Sequence, residues 1–122
     1  MRKILFLLLF SIAVFTNYAQ EVKNTILDVV DYKEVVVIKD VQLVDVRTPK
    51  EYQEGFIDDA INIDYLEQSK FYTSFEKLDK NKPLYIYCRS GNRSQKSTKL
   101  LLELGFTEIY DLKGGYIAWC NQ

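Results

Sequence analysis

Cys88 is the residue best placed to do chemistry in this 122-residue chain. It leaves an apolar run, Leu84-Tyr85-Ile86-Tyr87, and opens the polar stretch Cys88-Arg89-Ser90-Gly91-Asn92-Arg93-Ser94. The chain contains no histidine. Ser-His-Asp triads, Cys-His dyads and histidine metal sites are therefore excluded, and a reactive thiol must be activated by something other than imidazole. Its two cysteines are too few for a zinc centre, so neither a metal nor a cofactor is expected.

The neighbours of Cys88 offer another source of activation. Gly91 lets the loop curl so that successive amides point inward. A helix starting at Ser94 presents unpaired N–H groups and a partial positive charge to the same spot. Arg89 and Arg93 add full charges. A thiolate is the anion that such surroundings favour, and cysteines in comparable settings titrate at about 3.5 to 7.5 against about 8.5 when free. The plainer alternative is a buried structural thiol that merely precedes a loop.

The elements that position this loop read as alternating strands and helices. Expected strands are Ile26 to Val30, Gln42 to Val46, Ala60 to Ile63, Leu84 to Tyr87 and Glu108 to Leu112. Asp31 with Glu34 three residues on reads as a helix start. The following Val35 to Ile38 prefers a strand by propensity, so local signals conflict there. Thr48-Pro49 caps a short helix through Tyr52, which Gly55 ends. Phe71, Phe75 and Leu78 mark another helix by their i, i+4, i+7 spacing. A helix from Ser94 to Leu104 stops at Gly105, and Gly114-Gly115 turns into a last helix bearing Trp119. The unalternating run at 84–87 suits a central parallel strand covered on both faces, and the whole order predicts an α/β fold.

Residues 1–19 differ from the rest. Arg2 and Lys3 precede an apolar stretch from Ile4 to Phe15, and Ala19 offers a cleavage point, the pattern of a secretory signal peptide. The stretch is short of the roughly 18 to 20 residues of a membrane span. Without a cysteine there, no lipid anchor is expected. Residues 20–122 then form a single domain that is exported, periplasmic or secreted, with a monomer as the default. Removing Arg2 and Lys3 leaves 14 basic against 17 acidic residues, a net charge of −3. That mildly acidic balance gives no footprint for nucleic acid.

Two segments, "LVDVRTPKEYQEGFIDDAINID" and "YIYCRSGNRSQKSTKLLLELGFTEIYDLKGGYIAW", resemble the single-domain rhodaneses over about Ile26 to Trp119. The resemblance rests on three spaced motifs: Asp-Val-Arg with its following Glu-Tyr, the cysteine loop, and the closing Leu-Lys-Gly-Gly. It implies a rhodanese-like parallel five-stranded sheet flanked by helices on both faces, with Val35 to Ile38 helical. It also implies that Cys88 is the nucleophile of a sulfurtransferase. Cys88 would take the outer sulfur of thiosulfate or a similar small anionic donor as a persulfide and pass it to a thiol or cyanide. The loop amides from Arg89 through Ser90, Gly91, Asn92 and Arg93 to Ser94 would stabilise the sulfur anions. Arg89 and Arg93 would attract the donor, although Arg89 has a solvent-facing alternative and Arg93 a bracing one. Asp45 and Arg47 read as a supporting ion pair or helix-cap network. Where the family commonly has Gly-His-Ile-Pro-Gly-Ala, this chain has Gly55-Phe56-Ile57-Asp58-Asp59-Ala60, which puts local packing in question more than chemistry.

Two rivals share this reading's features. Phosphatases and arsenate reductases also cradle an anion over a cysteine, but their loop carries an arginine six positions after it, where this chain has Ser94. A non-catalytic binding module of the same fold would have no use for the intact cysteine loop. Cys120 is read as a spare thiol after the last helix, rather than a resolving or disulfide partner.

Overall fold

All four residues of the run Leu84-Tyr85-Ile86-Tyr87 are buried, and they form the middle strand of the only sheet among the described residues. The computed structural model describes residues 21–122. In chain order the elements are β1 (Lys23–Leu27), α1 (Val29–Val36), β2 (Gln42–Asp45), α2 (Pro49–Gln53), β3 (Ile61–Asn62), α3 (Gln68–Phe75), β4 (Leu84–Tyr87), α4 (Asn92–Glu103), β5 (Glu108–Leu112) and α5 (Gly115–Cys120). The strands run parallel in the order β1-β5-β4-β2-β3.

The two-residue period of a strand divides the core. Leu84 and Ile86 of β4 point toward α3 and α4, where they meet Val44, Phe71, Phe75 and Leu101. Tyr85 and Tyr87 point the other way, into a cluster with Tyr32 and Val36 of α1 and flanking residues of α5. Helices thus cover both faces, as a parallel sheet requires. Cys88 continues the parity of Leu84 and Ile86, which turns its side chain toward α4.

The conflict at Val35 to Ile38 splits evenly: Val35 and Val36 are helical, whereas Val37 and Ile38 are not. Tyr32 and Val36, four residues apart, both sit on the sheet and are buried. Burying one such side chain contributes about 1.5–3 kcal/mol, whereas a β-branched residue in a helix costs only about 0.5 kcal/mol. Packing wins, and the helix ends at Val36 with Val37 and Ile38 in a turn.

Several boundaries depart from expectation. The first strand is Lys23–Leu27, paired in register with Glu108–Leu112. It is an edge strand with four exposed residues, so apolarity does not mark it. The helix start follows: Asp28, not Asp31, is the cap, and its carboxylate accepts the Asp31 amide at 3.1 Å. β3 shrinks to two residues, and α3 starts three residues before Phe71. α4 begins at Asn92 rather than Ser94, because Gly91 takes φ +113° and turns the chain directly into the helix. Cys120 is the last residue of α5. Asp58-Asp59 does make a turn without Pro-Gly: the Ala60 amide donates to the Ile57 carbonyl at 3.0 Å. The proposed signal segment, 1–19, lies outside the described residues. No helix among the described residues is long and apolar enough to cross a membrane.

Candidate active site

The site grows from the C-terminal edge of the sheet, where β4 hands over to α4. Cys88 is 1% exposed. Its sulfur accepts the Gly91 N–H at 3.0 Å, and its S–H faces the Ser94 hydroxyl oxygen at 3.4 Å. Ser94 is fully buried and its hydroxyl donates to the Gly91 carbonyl at 3.2 Å. Gly91 occupies the N-cap position of α4 and has no side chain to cap the helix. The thiol sulfur accepts the amide of the N-cap residue itself, at the positive end of the longest described helix. An anion on that sulfur meets a preorganised donor and the helix dipole together.

A second layer holds the loop from the α2 side. Thr48 and Glu51 form a capping box, with the Glu51 amide donating to Thr48 Oγ1 at 3.3 Å. The Glu51 carboxylate also accepts both terminal nitrogens of Arg93, at 2.7 and 2.9 Å. Such a fork-on-carboxylate contact is among the stronger surface pairings. The Arg93 guanidinium draws the Glu51 carboxyl down to about 2. Arg93 is therefore a brace between α2 and the first turn of α4, the second of the two roles open to it in the sequence.

A third layer comes from the glycine pair before α5. Gly115 has φ +59°, and a Cβ there would lie 2.5 Å from the Cys88 carbonyl oxygen. With only hydrogen in that space, the Tyr116 amide reaches the Cys88 carbonyl at 2.8 Å and the Ile117 amide reaches that of Arg89 at 3.1 Å. The closing Gly-Gly thus clamps the back of the cysteine loop. Asp45 and Arg47 lie farther off as an ion pair of 2.6 Å, both buried. Arg47 also donates to the Gly55 carbonyl at 2.7 Å and stacks 4.1 Å from the Tyr116 ring. The pair ties the chain after β2 to the helix behind the loop and does not touch Cys88.

Among the candidate residues, the structure brings together Cys88, Gly91 and Ser94. Arg89 and Ser90 are exposed on the loop, and Asn92 is exposed at the first position of α4. Gly91 supplies the one backbone amide on the thiol sulfur among the described residues. Glu51, Gly115 and Tyr116 were missed as site residues. Glu51 carried a signal, the Thr48-x-x-Glu51 box, but its partner is 42 positions away. Phe56, at the departure from the family pattern, stacks on Tyr52 with ring centres 4.3 Å apart, so the substitution is absorbed in packing. Cys88 and Cys120 are both free thiols, and Cys120 is exposed.

The comparisons with known proteins agree with this geometry. The family model for the rhodanese-like domain matches residues 19–122. A sulfurtransferase from Allochromatium vinosum is 38% identical over 84 residues, covering 69% of this chain and 76% of its own. The thiosulfate sulfurtransferase GlpE of Coxiella burnetii is 38% identical over 86 residues, 70% of this chain and 78% of its own. A solved structure of a rhodanese-related protein from Thermoplasma volcanium superposes with a TM-score of 0.69 at 28% identity, covering 80% of this chain and 92% of that one. The matched span takes in the cysteine loop, its Glu51 brace and its glycine clamp, and the chain belongs to the rhodanese-like domain family.

Proposed function

We propose that this protein is a sulfurtransferase that carries a sulfane sulfur on Cys88. The single observation that carries the reading is the Gly91 amide 3.0 Å from the Cys88 sulfur at the start of α4. In the first step the Cys88 thiolate attacks the outer sulfur of thiosulfate or a similar donor. The S–S bond of the donor breaks, sulfite leaves with the electron pair, and Cys88 holds a persulfide. In the second step an acceptor thiolate or cyanide attacks the outer sulfur, and the Cys88 thiolate is the leaving group. The loop and the α4 dipole favour the sulfur anions of both steps. Exposed Arg89 lends its charge to the approach of an anionic donor, while the charge of Arg93 is offset by Glu51.

The loop length supports sulfur over phosphate. Six residues after the cysteine stands Ser94, buried and aimed at the sulfur, where a phosphatase needs a guanidinium. The test is a pair of assays on the purified protein. Thiocyanate from thiosulfate and cyanide, lost in Cys88→Ser, is the expected result. Hydrolysis of an aryl phosphate without thiocyanate would overturn it.

We also infer from the charged start and apolar stretch of residues 1–19 that the protein works outside the cytoplasm. Its acceptor would then be a thiol or a sulfur-handling protein of that compartment. N-terminal sequencing of the exported fraction should begin at Gln20; full-length chain confined to the cytoplasm would contradict export.

A further inference from the structure

β1 is the long open edge of the sheet. It lies outermost in the strand order, with β5 alone beside it among the described residues, whereas the opposite edge, β3, has two residues. The Lys23 amide donates to the Thr107 carbonyl at 2.7 Å, and the Lys113 amide donates to the Leu27 carbonyl at 2.8 Å. The odd-numbered residues of β1 therefore turn their backbone groups toward β5, since a parallel ladder uses alternate residues of each strand. The N–H and C=O groups of Asn24 and Ile26 point away from the sheet, and no strand among the described residues takes them. Val22, one step before the strand, continues the same alternation.

Proteins blunt such edges with charge, proline, a bulge or brevity. β1 carries one charge, on Lys23, has no proline, and keeps five unbroken register pairs with β5. It presents apolar side chains instead: Val22 is 58% and Ile26 50% exposed. By strand parity both lie on the α4 side of the sheet, where Ile26 lines a hollow with Gln95, Thr98 and Lys99.

We propose that β1 is the interface between two copies of this chain, paired antiparallel across a two-fold axis through Asn24. Three registers let the outward-pointing backbone groups meet, centred on Lys23, Asn24 or Thr25. Centring on Lys23 sets two ammonium groups face to face, and like charges directly opposite destabilise a pair. Centring on Thr25 sets Ile26 against the partner's Asn24 and Val22 against the partner's Asp28. Centring on Asn24 sets Val22 against the partner's Ile26 and Ile26 against the partner's Val22, apolar on apolar twice over. The three residues with outward backbone groups then form the hydrogen-bonded pairs. A patch that complements itself about one residue is what an isologous contact requires, and this selects a second copy over an unrelated strand. The axis stands perpendicular to the sheet, so both α4 helices keep to one face. The two cysteine loops lie at opposite edges of the joined sheet, and each thiol works alone.

The test combines light scattering with disulfide trapping, on the full chain in a Cys120→Ser background. The parent should scatter at twice the 14.3 kDa of one chain. Ile26→Lys, at an exposed position, should halve that mass with an unchanged circular dichroism spectrum. The Cα atoms of a hydrogen-bonded antiparallel pair lie about 5.5 Å apart, within reach of a disulfide. Asn24→Cys should therefore link two chains under mild oxidation, whereas Lys23→Cys, set opposite the partner's Thr25, should not. In the parent the Asn24 amide should resist hydrogen exchange as the Thr25 amide does, and in Ile26→Lys it should lose that protection. A monomeric parent, a dimer that survives Ile26→Lys, or equal cross-linking through Lys23→Cys and Asn24→Cys would each overturn the proposal. The first of these would leave the edge to a strand of a different protein.

Discussion

Two aspartates lie buried at the C-terminal edge of the same sheet, and they are treated in opposite ways. Asp45, at the end of β2, accepts the Arg47 amide and its guanidinium, with contacts of 2.6 to 3.0 Å. Asp111, near the end of β5, has neither cation nor hydrogen bond. Both are shielded from water. A buried charge with its partner is a fixed joint, and Arg47 extends that joint to Gly55 and the Tyr116 ring. A buried carboxyl without one is free to change its protonation state, and it lines a hollow with Gln95, Thr98 and Lys99 of α4. The sheet edge thus separates a part that holds the loop still from a part that can respond.

Breaking the paired side should have the largest effect. Arg47→Met leaves Asp45 charged and alone, at a cost of about 3–5 kcal/mol, read as a lower urea midpoint at unchanged slope. Asp111→Asn should do the reverse. The raised carboxyl contributes stability that is fully present below pH 3.8 and lost as pH rises through about 6. The variant should therefore be more stable than the parent at pH 7.5, by about 1–3 kcal/mol, and equal to it near pH 3.5. Equal stability at pH 7.5 would mean that Asp111 is paired after all.

The Glu51–Arg93 brace gives the third comparison, an ion pair at the surface beside the buried one. The carboxyl of Glu51 is lowered from 4.5 to about 2, so its contribution is present above pH 4.5 and lost as pH falls toward 2. Side chains about a quarter exposed are partly screened. Glu51→Gln should cost about 1–2 kcal/mol at pH 7, a deficit that closes on acidification. It should also slow sulfur transfer by loosening the loop. Phe56→Ala should matter least, at about 0.5–1 kcal/mol, with transfer unchanged, since its stack on Tyr52 lies at the surface.

The contrast between the two aspartates also marks what can be read from sequence. The strand at 84–87, the Thr48-Pro49 cap and the Gly105 stop announce themselves through local composition, and each stands where expected; the cysteine loop opens where expected but ends two residues early. Asp45 and Arg47 are two residues apart, so their pairing is legible too. Asp111 is not, because nothing in "EIYDL" tells an orphaned carboxyl from a solvated one. Glu51 and Arg93 meet across 42 positions, and only folding brings them together. The edge strand Lys23–Leu27 is set by its pairing with β5, which no run of apolar residues advertises. α4 starts two residues before the expected Ser94 because Gly91 supplies the turn through its backbone alone.

The central claim is that Cys88 carries the sulfur. Mass spectrometry of the intact protein after thiosulfate treatment tests it most directly. The account predicts a gain of one sulfur atom in the parent and in Cys120→Ser, removed by cyanide and absent in Cys88→Ser. No gain in the parent, or a gain that survives Cys88→Ser, would contradict it.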